Sequence, residues 1–377
     1  MHLGKVMVVF GTRPEAIKMA PVIHKLKAVE DIETIVTVTA QHRDMLDQVL
    51  RLFQIEPDYD LDLMKARQDL FSITTKVISG LQEILEKEKP NLLLVHGDTS
   101  TTFTAALAAF YLHIPVGHVE AGLRTRNKFS PFPEEMNRTL TGCLTDLHFA
   151  PTDTARENLI AEAKALFKIW VTGNTVIDAL LQTVKPEYVF GPELSEVDFS
   201  RRILLVTTHR RENWGDKMRQ IYQALIDIVE EFSDVEVVFP VHLNPVVKDI
   251  AYEMLKDKRR IHLTGPLDYE PFVNLMNNSY LVMTDSGGLQ EEAPSLGKPV
   301  LVLRDSTERP EAVEAGTVKL VGTTYKQIYE QTKILLTQEK EYEKMARAIN
   351  PYGDGKASER IVNIIIDVLY ARKGVQP

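Results

Sequence analysis

Pro115-Val-Gly-His-Val-Glu-Ala-Gly-Leu-Arg124 leads through a polar loop into Pro131-Phe-Pro-Glu-Glu-Met-Asn-Arg138. The apolar run Val116–Val119 reads as a buried parallel strand, closed by Glu120, Gly122 and Arg124. Acids at the carboxyl ends of parallel strands line the ligand crevice of open α/β sheets. An acid that closes a buried strand has to be solvated by a site or paired. Pro131 and Pro133 stiffen the loop, and Glu134, Glu135 and Arg138 open a helix directly after a proline. Glu134 and Glu135 also fit a plain helix N-terminus, where the dipole favours carboxylates.

On both sides of this stretch, short apolar runs alternate with helical periodicities, the pattern of parallel sheets covered by helices on both faces. Strands are expected at Val6–Phe10, Ile35–Val38, Leu92–Val95, Leu147–Ala150 and Ile169–Val171. The interval 185–200, with Pro186, Gly191 and Pro192, reads as a linker or surface excursion. A second α/β set follows, with strands at Ile203–Val206, Val235–Phe239, Ile261–Leu263, Tyr280–Met283, Val300–Leu303 and Val318–Leu320. After the break Asn350-Pro-Tyr-Gly-Asp-Gly355, a helix from about Ala357 to Leu369 either returns to the first domain or caps the second.

The 377 residues suit two domains of ordinary size, and 44% hydrophobic with 26% charged residues is a globular balance. A net charge of −9 lacks the basic footprint of a nucleic-acid binder. No run approaches the roughly 18 apolar residues of a membrane span, and Gly11-Thr-Arg-Pro14 stops the first strand too early for a signal segment. A cytoplasmic, non-membrane protein is expected. The single cysteine, Cys143, excludes an internal disulfide and a multi-cysteine metal site. Its apolar helical setting reads as buried and inert.

Gly11-Thr-Arg-Pro-Glu15 occupies the first strand-to-helix turn, a usual place for phosphate. Arg13 and Lys18 suit an anion there; either also fits a solvated surface charge, which for Lys18 alone is the commoner case. No Gly-x-Gly-x-x-Gly fingerprint is present, which disfavours a dinucleotide site. Ser286-Gly-Gly288 opens a second such turn, with Glu292 one helical turn on, placed to accept from sugar hydroxyls. His209 follows a strand and is flanked by Arg210 and Arg211. His118-Val-Glu120 lacks the cysteine pair of a zinc deaminase, and no zinc spacing occurs among the histidines. Asp98, Glu120 and Glu134 stand at strand ends or loop edges of one half. Several carboxylates around a cleft suit proton transfer on two faces of a substrate; Asp98 before Thr99 also fits a helix cap.

Seven segments together resemble the non-hydrolysing bacterial UDP-N-acetylglucosamine 2-epimerases. They are Gly11-Thr-Arg-Pro-Glu-Ala-Ile-Lys18, His96-Gly-Asp-Thr99, His118-Val-Glu-Ala-Gly-Leu-Arg124, Pro133-Glu-Glu-Met-Asn-Arg138, His209-Arg-Arg-Glu-Asn213, Ser286-Gly-Gly-Leu-Gln-Glu-Glu292 and Arg304-Asp-Ser-Thr-Glu-Arg-Pro-Glu311. The resemblance runs in order from Lys5 to the last helix. It implies a glycosyltransferase-B-like fold of two Rossmann-like domains, 1–172 with 357–377 and 173–356, and an active site in the interdomain cleft. It implies reversible interconversion of UDP-GlcNAc and UDP-ManNAc with no NAD and no metal, in a homodimer. The implied route is loss of UDP to 2-acetamidoglucal and re-addition, supplying ManNAc for cell-surface polysaccharide. By the same resemblance, Arg13, His209, Ser286, Gly287, Gly288, Glu292 and Arg309 hold UDP, with Phe272 near uracil. Lys18, Asp98, Glu120, Glu134 and Arg138 surround the sugar, and Gln41, His42, Arg43, Arg67 and Gln68 contact UDP-GlcNAc bound as an activator. A glycosyltransferase on the same fold, a hydrolysing epimerase and a sugar-nucleotide-binding regulator are the competing readings.

Overall fold

The computed structural model describes residues 3–40, 43–63 and 69–373. The chain forms two compact units, one built from the chain up to Leu181 and again from Tyr352, the other from Gln182–Pro351. In the first, Gly4–Phe10 (β1), Ile32–Val38 (β2), Tyr59–Asp60 (β3), Leu92–His96 (β4), Val116–Val119 (β5), Leu147–Ala150 (β6) and Ile169–Val171 (β7) form one sheet. Its order is β3-β2-β1-β4-β5-β6-β7, and the pairings are parallel. In the second, Arg202–Thr207 (β8), Val235–Pro240 (β9), Ile261–Thr264 (β10), Leu281–Thr284 (β11), Val300–Val302 (β12) and Val318–Leu320 (β13) form another parallel sheet. Its order is β10-β9-β8-β11-β12-β13.

Continuous apolar runs suit these strands because helices cover both faces of each sheet. Val6, Met7, Val8, Val9 and Phe10 are all completely buried, as are Ile203, Leu204, Leu205 and Val206. Each such side chain contributes about 1.5–3 kcal/mol by leaving water. Strand order reverses between β1 and β4 in one sheet and between β8 and β11 in the other. At such switch points the flanking helices diverge and leave a crevice at the carboxyl ends of the strands.

The C-terminal helix Ala357–Arg372 belongs to the first unit and packs on the helix Arg13–Lys27. Buried Asp178 receives its first turn, accepting from Ala357 N (3.1 Å), Ser358 N (2.8 Å) and Ser358 Oγ (2.5 Å). Asp178 lies on the helix Thr175–Thr183. That contact holds this helix to the first unit, so the units divide after Leu181 and before Tyr352 rather than at the expected 172/173 and 356/357. The interval 185–200 is no free linker: Phe190 stacks on Phe199 at 4.4 Å between centroids, and Leu194 is buried. Cys143 is exposed, against expectation, because the helix Glu134–Leu144 turns Thr141 and Gly142 inward instead. Among the described residues, no helix is long and apolar enough to cross a membrane.

Candidate active site

In the first unit, the ends of β4 and β5 present Asp98 and Glu120. Glu120 adopts φ +63°, a left-handed backbone that costs a non-glycine residue on the order of 1 kcal/mol. Gly122 follows at φ +94°, and a Cβ there would lie 2.2 Å from Ala155 O, so only glycine fits. These two residues turn the chain sharply away from the sheet and leave the Glu120 carboxylate at its edge. Glu120 Oε2 pairs with Lys18 Nζ and accepts from Asn174 Nδ2 at 2.9 Å. The ring of His96 comes to 3.7 Å from the same oxygen. Burial works against the Glu120 charge, but Lys18 and His96 outweigh it and hold its pKa well below the ordinary carboxylate range.

Asp98 accepts from Arg138 Nη2 at 2.6 Å, and its carbonyl accepts from Asn137 Nδ2 at 2.9 Å. Burial pushes the Asp98 carboxyl up; Arg138 opposes this and the Glu120 charge reinforces it. Two neighbouring carboxyls are thus driven apart in acidity. Thr99, not Asp98, caps the next helix, its hydroxyl accepting from Thr102 N, so the helix-cap reading of Asp98 fails. Glu134 is half-buried at the start of its helix and has no hydrogen-bond or ion-pair partner among the described residues. Its neighbour Glu135 is structural, accepting from Thr125 N (3.0 Å) and Arg126 N (2.8 Å) to tie the loop down.

The turn Gly11–Glu15 is occupied by its own carboxylate. Buried Glu15 accepts from Gly11 N (3.0 Å), Thr12 N (2.8 Å) and the Thr12 hydroxyl (2.8 Å). Its other oxygen accepts from the Thr99 and Thr102 hydroxyls at 2.7 and 3.0 Å. The Gly11 and Thr12 amides are therefore engaged within the protein, and Arg13 at the same turn is half-buried.

In the second unit, β8 and β11 end side by side. Asp285, completely buried, accepts from His209 N and Arg210 N at 3.0 and 2.9 Å and from Asn213 Nδ2 at 3.1 Å. Its other oxygen lies 2.9 Å from His209 Nδ1. Burial opposes the Asp285 charge, but the His209 ring and these amides hold its pKa below the ordinary range. A carboxylate on Nδ1 fixes the imidazole tautomer and leaves Nε2 for a ligand. The His209 and His242 rings stack at 5.7 Å between centroids. With Thr207, Thr208, Phe272, Ser286 and Leu289 they line a pocket of about 270 Å³. A Cβ built on Gly287 would be 3.9–4.0 Å from the guanidinium ends of Arg210 and Arg309, and one on Gly288 would meet nothing nearer than 3.7 Å. The protein's own packing does not demand glycine at either position; their absent side chains leave backbone open to an approaching group. Arg309 is paired to buried Glu291, and Arg304 to Glu212 (2.7 Å) and Glu308 (3.0 Å).

A family profile described as UDP-N-acetylglucosamine 2-epimerase matches residues 24–366. The chain belongs to the UDP-N-acetylglucosamine 2-epimerase family. Its sequence is 58% identical to the UDP-N-acetylglucosamine 2-epimerase of Bacillus subtilis (strain 168), over 96% of this chain and 95% of the relative. The Escherichia coli (strain K12) UDP-N-acetylglucosamine 2-epimerase is 54% identical, over 96% and 98%. The crystal structure of UDP-GlcNAc 2-epimerase from Neisseria meningitidis bound to UDP-GlcNAc superposes with a TM-score of 0.86 at 51% identity, covering 96% of this chain and 100% of that one. The fold is accordingly two Rossmann-like units of the glycosyltransferase-B type.

Of the family residues expected in the sequence, the structure brings Lys18, Asp98, Glu120 and Arg138 into one cluster, and His209, Phe272 and Ser286 around one pocket. Arg43 opens a helix and pairs with Asp60 and Asp47, while Gln41, His42, Arg67 and Gln68 lie outside the described residues. Asp285, Asn174, His96 and Glu15 were not singled out. Asp285 obeys the rule that marked Glu120, an acid closing a buried strand. Asn174 gains meaning only from a partner distant in sequence; for Glu15 the capping-box spacing Thr12-x-x-Glu15 is a local signal, but its contacts with Thr99 and Thr102 are not.

Proposed function

We propose that this chain catalyses reversible C2 epimerisation of UDP-GlcNAc to UDP-ManNAc, an isomerase that releases no free sugar. The Asp98–Arg138 and Lys18–Glu120 cluster carries the reading: a protein that only bound a dianion would have little use for neighbouring, half-buried acids of opposed acidity. The C2 proton is not α to a ketone, so direct deprotonation is too costly. UDP leaves C1 as the C2 proton is lost, giving 2-acetamidoglucal; a proton then returns to the other face and UDP re-adds. Arg13, His209 and Arg309, with Ser286 and the open backbone of Gly287 and Gly288, stabilise the leaving diphosphate. Glu292 takes sugar or ribose hydroxyls, and Phe272 packs against uracil.

Asp98 and Glu120 serve one face of the hexose and Glu134, with its unoccupied carboxylate, the other. Lys18 keeps Glu120 ionised beside the cation developing at C1, and Arg138 orients Asp98. No resident cofactor enters this route. A homodimer, activation by a second UDP-GlcNAc at Gln41, His42, Arg43, Arg67 and Gln68, and supply of ManNAc to surface polysaccharide belong to the same reading. The test is incubation with UDP-GlcNAc in D2O, followed by NMR. Deuterium at C2 together with UDP-ManNAc is the expected result. Free ManNAc with UDP would replace it by the hydrolysing reaction, and an unchanged spectrum would defeat both.

A further inference from the structure

His96 closes β4 with its ring 3% exposed, and among the described residues neither ring nitrogen has a hydrogen-bond partner. Leaving a buried polar atom unpaired costs about 1–3 kcal/mol, so two on one ring call for a reason. Nε2 faces Glu120 Oε2 at 3.7 Å. Catalytic hydrogen bonds are often long before substrate is bound. Around this pair stand Lys18 from the helix Arg13–Lys27, Asp98 beyond β4, His118 on β5 and Arg138 on the helix Glu134–Leu144.

The chemistry gives the ring a task. Lys18 and Asn174 both engage Oε2 of Glu120, and a carboxylate so stabilised is a weak base. It can take the C2 proton in the transition state but holds it poorly afterwards. We propose that His96 is the proton partner of Glu120, receiving the C2 proton through that carboxylate and holding it while the glucal and UDP remain bound. The C2–H bond breaks, its electron pair forms the C1=C2 bond, and the C1–O bond electrons leave with UDP. The proton passes from Glu120 to the free ring nitrogen and later to solvent. Glu120 then stands ionised again and cannot return the proton to the face it left, so protonation comes from the other side. This inference rests on the epimerase reading above and on the placement of Glu120 in it; His96 acts through Glu120 and is a positioning residue.

The test compares wild type with His96→Gln, which keeps an amide donor near Glu120 but cannot accept a proton. The substrate is UDP-GlcNAc labelled with oxygen-18 in the sugar–phosphate bridge. In the variant, epimerisation and C2 deuterium uptake should fall by about 10²-fold or more, with the KM for UDP-GlcNAc held within about threefold. Scrambling of the label into the non-bridging β-phosphoryl positions should persist, because elimination still occurs and the proton returns where it came from. Equal loss of scrambling and epimerisation would overturn the proposal, since His96 would then serve cleavage or the fold alone. Unchanged epimerisation would overturn it equally. If His96→Gln does not bind UDP like wild type, His96→Asn takes its place with the same expected pattern. A wild-type protein that makes no UDP-ManNAc would instead defeat the underlying reading, and that is seen before any variant is made.

Discussion

At the scale of the residue, the second unit turns on Asp285. Its two oxygens accept from two successive backbone amides, from Asn213 and from the ring of His209. The backbone contacts place the His209 Cα, and the ring contact sets which nitrogen faces the pocket. Asp285→Asn keeps the shape but replaces the carboxylate that holds His209 Nδ1 with a neutral amide. If His209 assists departure of the diphosphate, kcat for epimerisation should drop by about 10²–10⁴-fold. Melting temperature and UDP binding separate this from a folding defect. A kcat within about threefold of wild type, in a folded variant, would mean that orientation of His209 does not limit the reaction. The contrast with Glu120 is instructive. Both acids close a buried parallel strand, yet Glu120 is legible because a glycine and an arginine follow it. Asp285 was masked by the glycine pair beside it, which drew attention as a phosphate turn.

At the scale of the element, local signals sufficed where the strand and helix were punctuated. Val116–Val119 has the bounds read from sequence, and Glu134–Leu144 has the start read from sequence, since proline precedes each. The two-residue strand Tyr59–Asp60 was not foreseen; it exists only because β2 offers it an edge. The same limit applies to the site. Lys18 and Glu120 are 102 residues apart, and no local pattern states that they meet. The loop between β5 and the helix Glu134–Leu144 shows how such contacts are built. Glu135, on the first turn, accepts the amides of Thr125 and Arg126, and one turn later Arg138 reaches Asp98. Glu135→Gln replaces one acceptor oxygen with a donor facing an amide. It should destabilise the protein by about 1–3 kcal/mol, read as a lower urea midpoint with an unchanged slope. Faster exchange at the Thr125 and Arg126 amides would locate the loss. An unaltered midpoint would show that the loop is held by its prolines and not by this carboxylate.

At the scale of the whole molecule, the buried histidines of the first sheet set how the fold answers to acid. His118 and His148 are paired across β5 and β6 in register, and both are buried. Burial pushes His118 down to about 3 and His148 down to about 4. Unfolded, each titrates near 6.5. Between the folded and unfolded values the unfolded chain binds more protons, so stability rises with pH there and is lost as pH falls from about 6.5. Between pH 7 and pH 5 each histidine should cost about 2 kcal/mol, or about 4 kcal/mol together. Asp98, pushed up by burial, works in the opposite sense, but as one group against two. Carboxylates with depressed values, such as Glu88 at about 2, add their loss only at lower pH, where the unfolded carboxyls begin to titrate. His118 Nε2 lies 2.7 Å from Gly97 O; a carbonyl only accepts, so that nitrogen carries the ring proton. His118→Gln keeps a donor for Gly97 O and cannot become charged. Urea unfolding at pH 7 and pH 5, corrected for intrinsic rates where hydrogen exchange is used to locate the change in β5 and β6, measures the effect. The variant should lose about half as much stability across this range as wild type, which is one proton fewer in the linkage. An equal loss in both would place the acid sensitivity elsewhere, and the neutral, buried state of His118 would then not govern how this fold responds to pH.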